Sequence, residues 1–344
     1  EANINATFLT SLVLDHFARD MQFLRAVDPA YPSAAQIADI IYQGKGTTGA
    51  PGSGSDTDGS NALIAEALAA SPSDPLWVLN WGIYGDLAQA LFDDPSIAPN
   101  IRVYGISPTS GYNHDADSAA ADWITSRLVP GQSLEDLWFI ANNSTFRGMY
   151  CGASGENIPD RNWAPQHAAG RGALGDFYLD FTWDLAWDGS YSGAKEGDTP
   201  SLLFVLDNHL VRGHGDNPAH ADGGWGGQFV KDAALGNNYW KDIPSGQTLG
   251  SFAGANTVRV HQTDIWNDFA AKLSLLGRST LLAGETFANV TSGGSLAGRT
   301  SHPSGHTWTN WRADRPFNYV NSGNMDYAVG TVGGAIVGGL IGGQ

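Results

Sequence analysis

Three groups of residues in this 344-residue chain carry side chains able to do chemistry. His114-Asp115-Ala116-Asp117 sets two carboxylates two positions apart, a pairing that could hold a hard cation or hydrogen-bond sugar hydroxyls. A solvated turn ahead of a helix, whose start favours acids, explains the same residues. The loop from Asp207 to Asp222 gathers His209, His214, Asp216, His220 and Asp222, enough nitrogen and oxygen donors for a metal. No pair in it has the helical spacing of a zinc hydrolase, and a solvated His-rich loop is the competing reading. The third group is a pair of glycine-punctuated stretches, Gly197-Asp198-Thr199-Pro200-Ser201 and Gly223-Gly224-Trp225-Gly226-Gly227-Gln228-Phe229. Glycine around a single Trp lets backbone come close beside a flat aromatic face, which a pocket needs and ordinary packing does not, so Trp225 is expected to be exposed and to bind. Trp81, Trp138, Trp163, Trp183, Trp187 and Trp308 could also stack on sugars or bases, although most Trp are core. Asp56-Thr57-Asp58-Gly59-Ser60 begins like a calcium loop but lacks the later acidic ligands, and helix capping by Asp58 or Ser60 accounts for it better.

The elements that must position these groups follow from periodicity. Leu9, Leu12, Val13, His16, Phe17, Met21 and Leu24 recur at helical spacing and stop at Asp28-Pro29, where proline cannot continue a helix. Short helices are expected from Ser33 and from Asp58, with a Gly/Ser/Thr-rich loop over 44–59 between them. Apolar runs at Leu76–Leu79, Ile101–Ile106, Leu137–Ile140 and Leu202–Leu206 read as buried strands. Helices through Leu87–Leu91 and Ala119–Leu128 alternate with them. The expected fold class is therefore α/β: an open, mainly parallel sheet with helices on both faces. Ligands bind such sheets at the carboxyl ends of the strands, where the chain here runs through Asn80-Trp81-Gly82, Ser107 to Asp117, Ala141 to Tyr150 and Asp207 onward. A further helix is expected from Ile265 to Leu276, after which the chain becomes turn-rich.

Composition excludes some partners. With 35 acidic and 18 basic residues the net charge is −17, which repels nucleic-acid phosphates and anionic lipid. The lone Cys151 rules out an internal disulfide framework. Abundant Gly and Trp with few Lys, together with the acceptor-type triplets Asn5-Ala6-Thr7, Asn142-Asn143-Ser144, Asn143-Ser144-Thr145 and Asn289-Val290-Thr291, point to a secreted, carbohydrate-facing protein. Residues 1–10 do not read as a signal peptide, so the expectation is a mature chain. In Ala328–Gln344 the glycines Gly330, Gly334, Gly338 and Gly342 fall four apart among Val, Ile and Leu. A tail packed on its own domain and an intermolecular packing stripe are the two readings, the apolar segment being short for a membrane span.

Several segments carry a resemblance. Ser144-Thr145-Phe146-Arg147-Gly148-Met149-Tyr150, Gly172-Ala173-Leu174-Gly175-Asp176, Gly197 to Ser201 and Gly223 to Phe229 resemble bacterial and fungal nucleoside-hydrolase-like proteins, often labelled cellulose-binding. Asp28-Pro29-Ala30-Tyr31-Pro32, Leu76 to Leu91 and Asn267-Asp268-Phe269-Ala270-Ala271 fit in the same order. The resemblance implies the open α/β sheet of nucleoside hydrolases, which cleave N-glycosidic bonds with a water activated by calcium on an aspartate cluster. That cluster belongs to a motif of the form Asp-x-Asp-x-x-x-Asp-Asp, which does not occur in this chain, and the sequence reads as beginning downstream of it. Ile83 and Tyr84 are bulkier than the resemblance implies, and Arg171 stands where a His commonly precedes Gly-Ala-Leu-Gly.

The resulting expectation is a nucleoside-hydrolase-like α/β domain over 1–277 lacking its first strand, and a turn-rich extension over 278–344. Catalytic candidates are Asp86, Asp115 and Asp117; Asn80, Trp81, Arg147 and Trp225 line the substrate pocket; Asp115, Asp117 and Asp222 bind calcium. The ligand is a nucleoside or glycan, with hydrolysis of a ribosyl or related glycosyl bond. The alternative is a non-catalytic, glycan-binding or self-assembling extracellular protein, a homo-oligomer formed through residues 1–25 and 328–344.

Overall fold

The computed structural model describes residues 9–10, 14–151, 163–184 and 196–276. The Gly-striped tail, Trp187, Trp308 and the first eight residues lie outside them, so the expectations placed there are not addressed by it.

Alternating apolar side chains build a sheet covered on both faces. Strands β1 (Leu76–Asn80), β2 (Ile101–Ile106), β3 (Trp138–Asn142), β4 (Phe229–Lys231) and β5 (Tyr239–Asp242) lie in the order β1-β2-β3-β5-β4. The pairs β1–β2, β2–β3 and β3–β5 are parallel, and β4 closes one edge antiparallel to β5. Successive residues of a strand point to opposite faces. Tyr104, Ile106, Trp138 and Ile140 therefore enter one core, with Leu14, Phe17, Phe204, Phe229 and Trp266, while Ile101, Val103, Phe139 and Ala141 enter the other, with Leu87, Leu91, Ile97 and Ile124.

The helices match their sequence signals closely. The first runs Leu14–Val27 and stops at Asp28, ahead of Pro29. Its Leu14, His16, Phe17 and Asp20 are buried within this chain. Asp20 ties it to the helix Gly172–Asp184, accepting from Ala173 N at 2.8 Å and Leu174 N at 2.7 Å, so one carboxylate satisfies two of that helix's orphan donors. Ser33 caps Ala34–Ala38 and Thr57 caps Asp58–Ala69, each through a reciprocal capping box. The residue capping the latter helix is thus Thr57, one position before the expected Asp58.

One sequence expectation fails. Leu202–Leu206 is not a strand: Thr199–Leu203 is α-helical and continues into a π-helix over Phe204–Val211. A short apolar run cannot separate strand from buried helix by period alone. Pro200 in the first turn favours the helix, and Phe204 fills the core against Trp77, Tyr104 and Trp138. The parallel strand beside β3 is supplied instead by Tyr239–Asp242.

Candidate functional site

The carboxyl ends of four parallel strands converge on a hydrogen-bonded rim. After β1, Trp81 is half-buried; its carbonyl accepts from Asn113 Nδ2 at 2.8 Å, and its indole N–H donates to Ser201 Oγ at 2.6 Å. Asn113 also reaches the carbonyl of Ile106 at the end of β2, at 3.1 Å. Next comes Ser107, whose φ of 50° marks a left-handed turn unusual for a side chain, with its N–H on Asn142 O at 2.7 Å. After β3 three successive amides, Asn143, Ser144 and Thr145, donate to the Asp242 carboxylate at 3.0, 3.0 and 3.1 Å. Burial raises the pKa of Asp242, and these hydrogen bonds oppose that rise.

Behind this rim sit two fully enclosed carboxyls that sequence reasoning did not single out. Glu196 and Asp198 are 4% and 2% exposed. Tyr178 OH donates to Glu196 Oε1 at 2.6 Å and Thr199 Oγ1 to Oε2 at 3.2 Å. Loss of water around Glu196 nevertheless pushes its pKa up to about 8, the nearby Asp198 charge adding to the effect. Burial alone carries Asp198 to about 8, and its Oδ1 has no hydrogen-bond partner among the described residues. The Asp198 charge acts on the buried hydroxyls of Tyr84 and Tyr150, and Ser201 Oγ donates to its backbone carbonyl at 2.7 Å. A chain of contacts thus runs from Trp81 through Ser201 to Asp198. The only sequence signal was the Gly197–Ser201 stretch; its glycine is needed because a Cβ there would come within 3.1 Å of Phe146 and 3.5 Å of Tyr150.

The residues singled out in the sequence do not form one constellation. Asp86 accepts from Lys45 N at 2.9 Å and Thr57 Oγ1 at 2.6 Å, holding the ends of the 44–59 loop. Asp117 is the N-cap of Ser118–Thr125 and binds Gly49 N at 2.9 Å, while its buried Oδ2 has no partner among the described residues. Asp115 stands 75% exposed beside His114. Asn80 donates to Gly82 O at 2.9 Å. Arg147 donates to Tyr150 OH at 3.3 Å and lies 4.6 Å over the Phe252 ring. Asp222 stands with His214 and His220 instead of with Asp115 and Asp117. Calcium takes six or more oxygen ligands. Among the described residues only His214, His220 and Asp222 bring three His, Cys or carboxylate ligand atoms within ligand spacing, and two of the three are nitrogens, so these side chains do not fit a calcium site.

The Gly-Gly-Trp-Gly-Gly stretch also proves different from its sequence reading. A Cβ at Gly226 would lie 2.3 Å from Phe204 Cα, and one at Gly224 2.3 Å from Asn208 Oδ1. Asn208 in turn accepts from Gly226 N at 2.9 Å and donates to Gly227 O at 3.1 Å. These glycines let the segment seat against the π-helix, which is packing. Trp225 is half-buried against the core, its backbone N–H donating to Asp207 Oδ2 at 2.8 Å.

The model of the family described as "Cellulose-binding Sde182, nucleoside hydrolase-like domain" matches residues 3–229. The chain belongs to that family. The match takes in β1 to β3, both glycine-punctuated stretches and the Glu196–Asp198 pair, and a mostly parallel sheet flanked by helices accords with a nucleoside hydrolase-like domain. No curated protein and no solved structure matches the chain.

Proposed function

We propose that this is an extracellular carbohydrate-binding protein, built on a nucleoside-hydrolase-like sheet, that takes a neutral glycosyl ligand at the carboxyl ends of β1 to β3. The observation that carries this is the fixed orientation of Trp81. Its carbonyl and indole N–H are pinned by Asn113 and Ser201, so the ring, packed against the core yet only half-buried, is held in one orientation at the rim. The cellulose-binding description of the family supports the ligand class and the extracellular setting. Among the described residues no helix is long and apolar enough to cross a membrane. The test is retention on insoluble cellulose and binding of soluble cello-oligosaccharides. Trp81→Ala should weaken binding roughly tenfold, the scale of a lost aromatic contact of about 1–1.5 kcal/mol, while Trp81→Phe keeps part of it. Unchanged binding by Trp81→Ala, or no binding of any glycan by the wild-type chain, would overturn the proposal.

Hydrolysis is the second reading, favoured by the enclosed carboxyls Glu196 and Asp198. A carboxyl that keeps its proton to about pH 8 has the state a general acid needs at neutral pH. Release of base from a nucleoside panel, or of reducing sugar from oligosaccharides, that disappears in Asp198→Asn would establish this reading. Equal turnover by the variant would remove it.

A further inference from the structure

We infer that His214, His220 and Asp222 form a binding site for one divalent transition metal of the zinc class, in the loop joining the π-helix to β4. This site is independent of the glycan reading and lies outside the rim described above. Its donor set is two imidazoles and one carboxylate, all with ligand atoms within 4.8 Å of one another. Two nitrogens and one oxygen suit zinc, copper or nickel and leave a fourth position open for water.

The loop backbone is built to hold these side chains. His214 N donates to Asn208 O at 3.0 Å, and Asn217 N donates to His214 O at 3.2 Å. The carbonyl of His220 accepts from Gly223 N at 3.0 Å and also from the Gln228 side chain. Gly215 supplies a left-handed turn just after His214 and Gly223 another just after Asp222, with φ of 57° and 64°. The result is a rigid frame around a nitrogen-rich cluster. Asp222 Oδ1 is the focus, lying 3.1 Å from His214 Nε2 and in hydrogen-bond contact with His220 Nδ1.

The rings themselves stack, with centroids 3.8 Å apart and planes 5° from parallel. An imidazole lone pair lies in its ring plane, so two parallel rings cannot both aim at one ion. Metal entry therefore requires one ring to leave the stack. His214 is enclosed, its side chain 3% exposed, whereas His220 is 44% exposed and has room to turn. His214 is the enclosed ligand, and His220, with the 61% exposed Asp222, closes the site. The overall charge of −17 favours cation capture.

The test uses the untagged full chain after chelator treatment, titrated with Co(II) and then Zn(II). One equivalent of Co(II) should produce intense visible ligand-field bands that Zn(II) bleaches. Asp222→Asn and His220→Ala should each weaken binding at least about tenfold. His114→Ala, in the other His–Asp pair, should bind as the wild type does. A second measurement needs no variant: zinc should protect His220 of the wild-type chain from diethyl pyrocarbonate, read by peptide mass. Binding that survives Asp222→Asn and His220→Ala, no binding, or equal modification of His220 with and without zinc would each overturn the assignment.

Discussion

Replacing Asp198 by asparagine tests the enclosed acid pair through its effect on stability against pH. The ordinary carboxyl value is 3.8 and burial carries Asp198 to about 8 in the folded chain. Between those values the folded protein holds a proton that the unfolded chain has released, so stability falls as pH rises from about 4 to about 8 and is unaffected by this group below or above. A difference of about four units corresponds to at most ~6 kcal/mol at ~1.4 kcal/mol per unit. Local relaxation and entry of water on ionisation reduce the realised figure to about 2–3 kcal/mol. The assay is urea unfolding of wild type and Asp198→Asn at pH 5 and pH 8. At pH 5 the folded acid is neutral like asparagine and only about a quarter of the loss has accrued, so the two should differ by under ~1 kcal/mol. At pH 8 the variant should be the more stable by about 2–3 kcal/mol. A wild-type protein that loses no more stability than the variant between these pH values would refute the claim that Asp198 is held protonated by its enclosure.

Two further substitutions probe the frame around the site. Gly226→Ala drives a Cβ to 2.3 Å from the Phe204 backbone and should cost about 3 kcal/mol in denaturant unfolding. Gly52→Ala, with nothing within 4 Å, should stay within about 0.5 kcal/mol of wild type. Asp20→Ala strips the acceptor from Ala173 N and Leu174 N and should lower stability by about 1–2 kcal/mol, with faster amide exchange at the start of Gly172–Asp184. Equal costs for the two glycine variants, or unchanged exchange in Asp20→Ala, would count against these packing roles.

The strands of the sheet core were legible because a parallel sheet needs uninterrupted apolar runs, and Leu76–Asn80, Ile101–Ile106 and Trp138–Asn142 each supply one between turn residues. Leu202–Leu206 has the same local character, and only its tertiary setting, with Phe204 against three rings of the sheet, decides for helix. The candidate site was harder to read for a similar reason. Carboxylates near the strand ends attracted attention by position, yet Asp86 and Asp117 bind backbone amides of the 44–59 loop. Glu196 and Asp198 acquire their character from enclosure by distant parts of the chain, with Tyr178 hydrogen-bonding Glu196 from 18 positions away, and no local spacing reveals that enclosure. The glycines around Trp225 signalled close approach correctly, but the approaching partner is the chain's own π-helix.

The three amides that follow β3 form the kind of concave donor cluster in which other proteins seat a phosphate. Here Asp242 occupies that cradle as a built-in counter-anion. A phosphorylated sugar or a nucleotide would have to expel this carboxylate and approach a molecule already carrying a charge of −17. The donor cluster is thereby filled from within, and the three amides serve to tie the end of β3 to the end of β5.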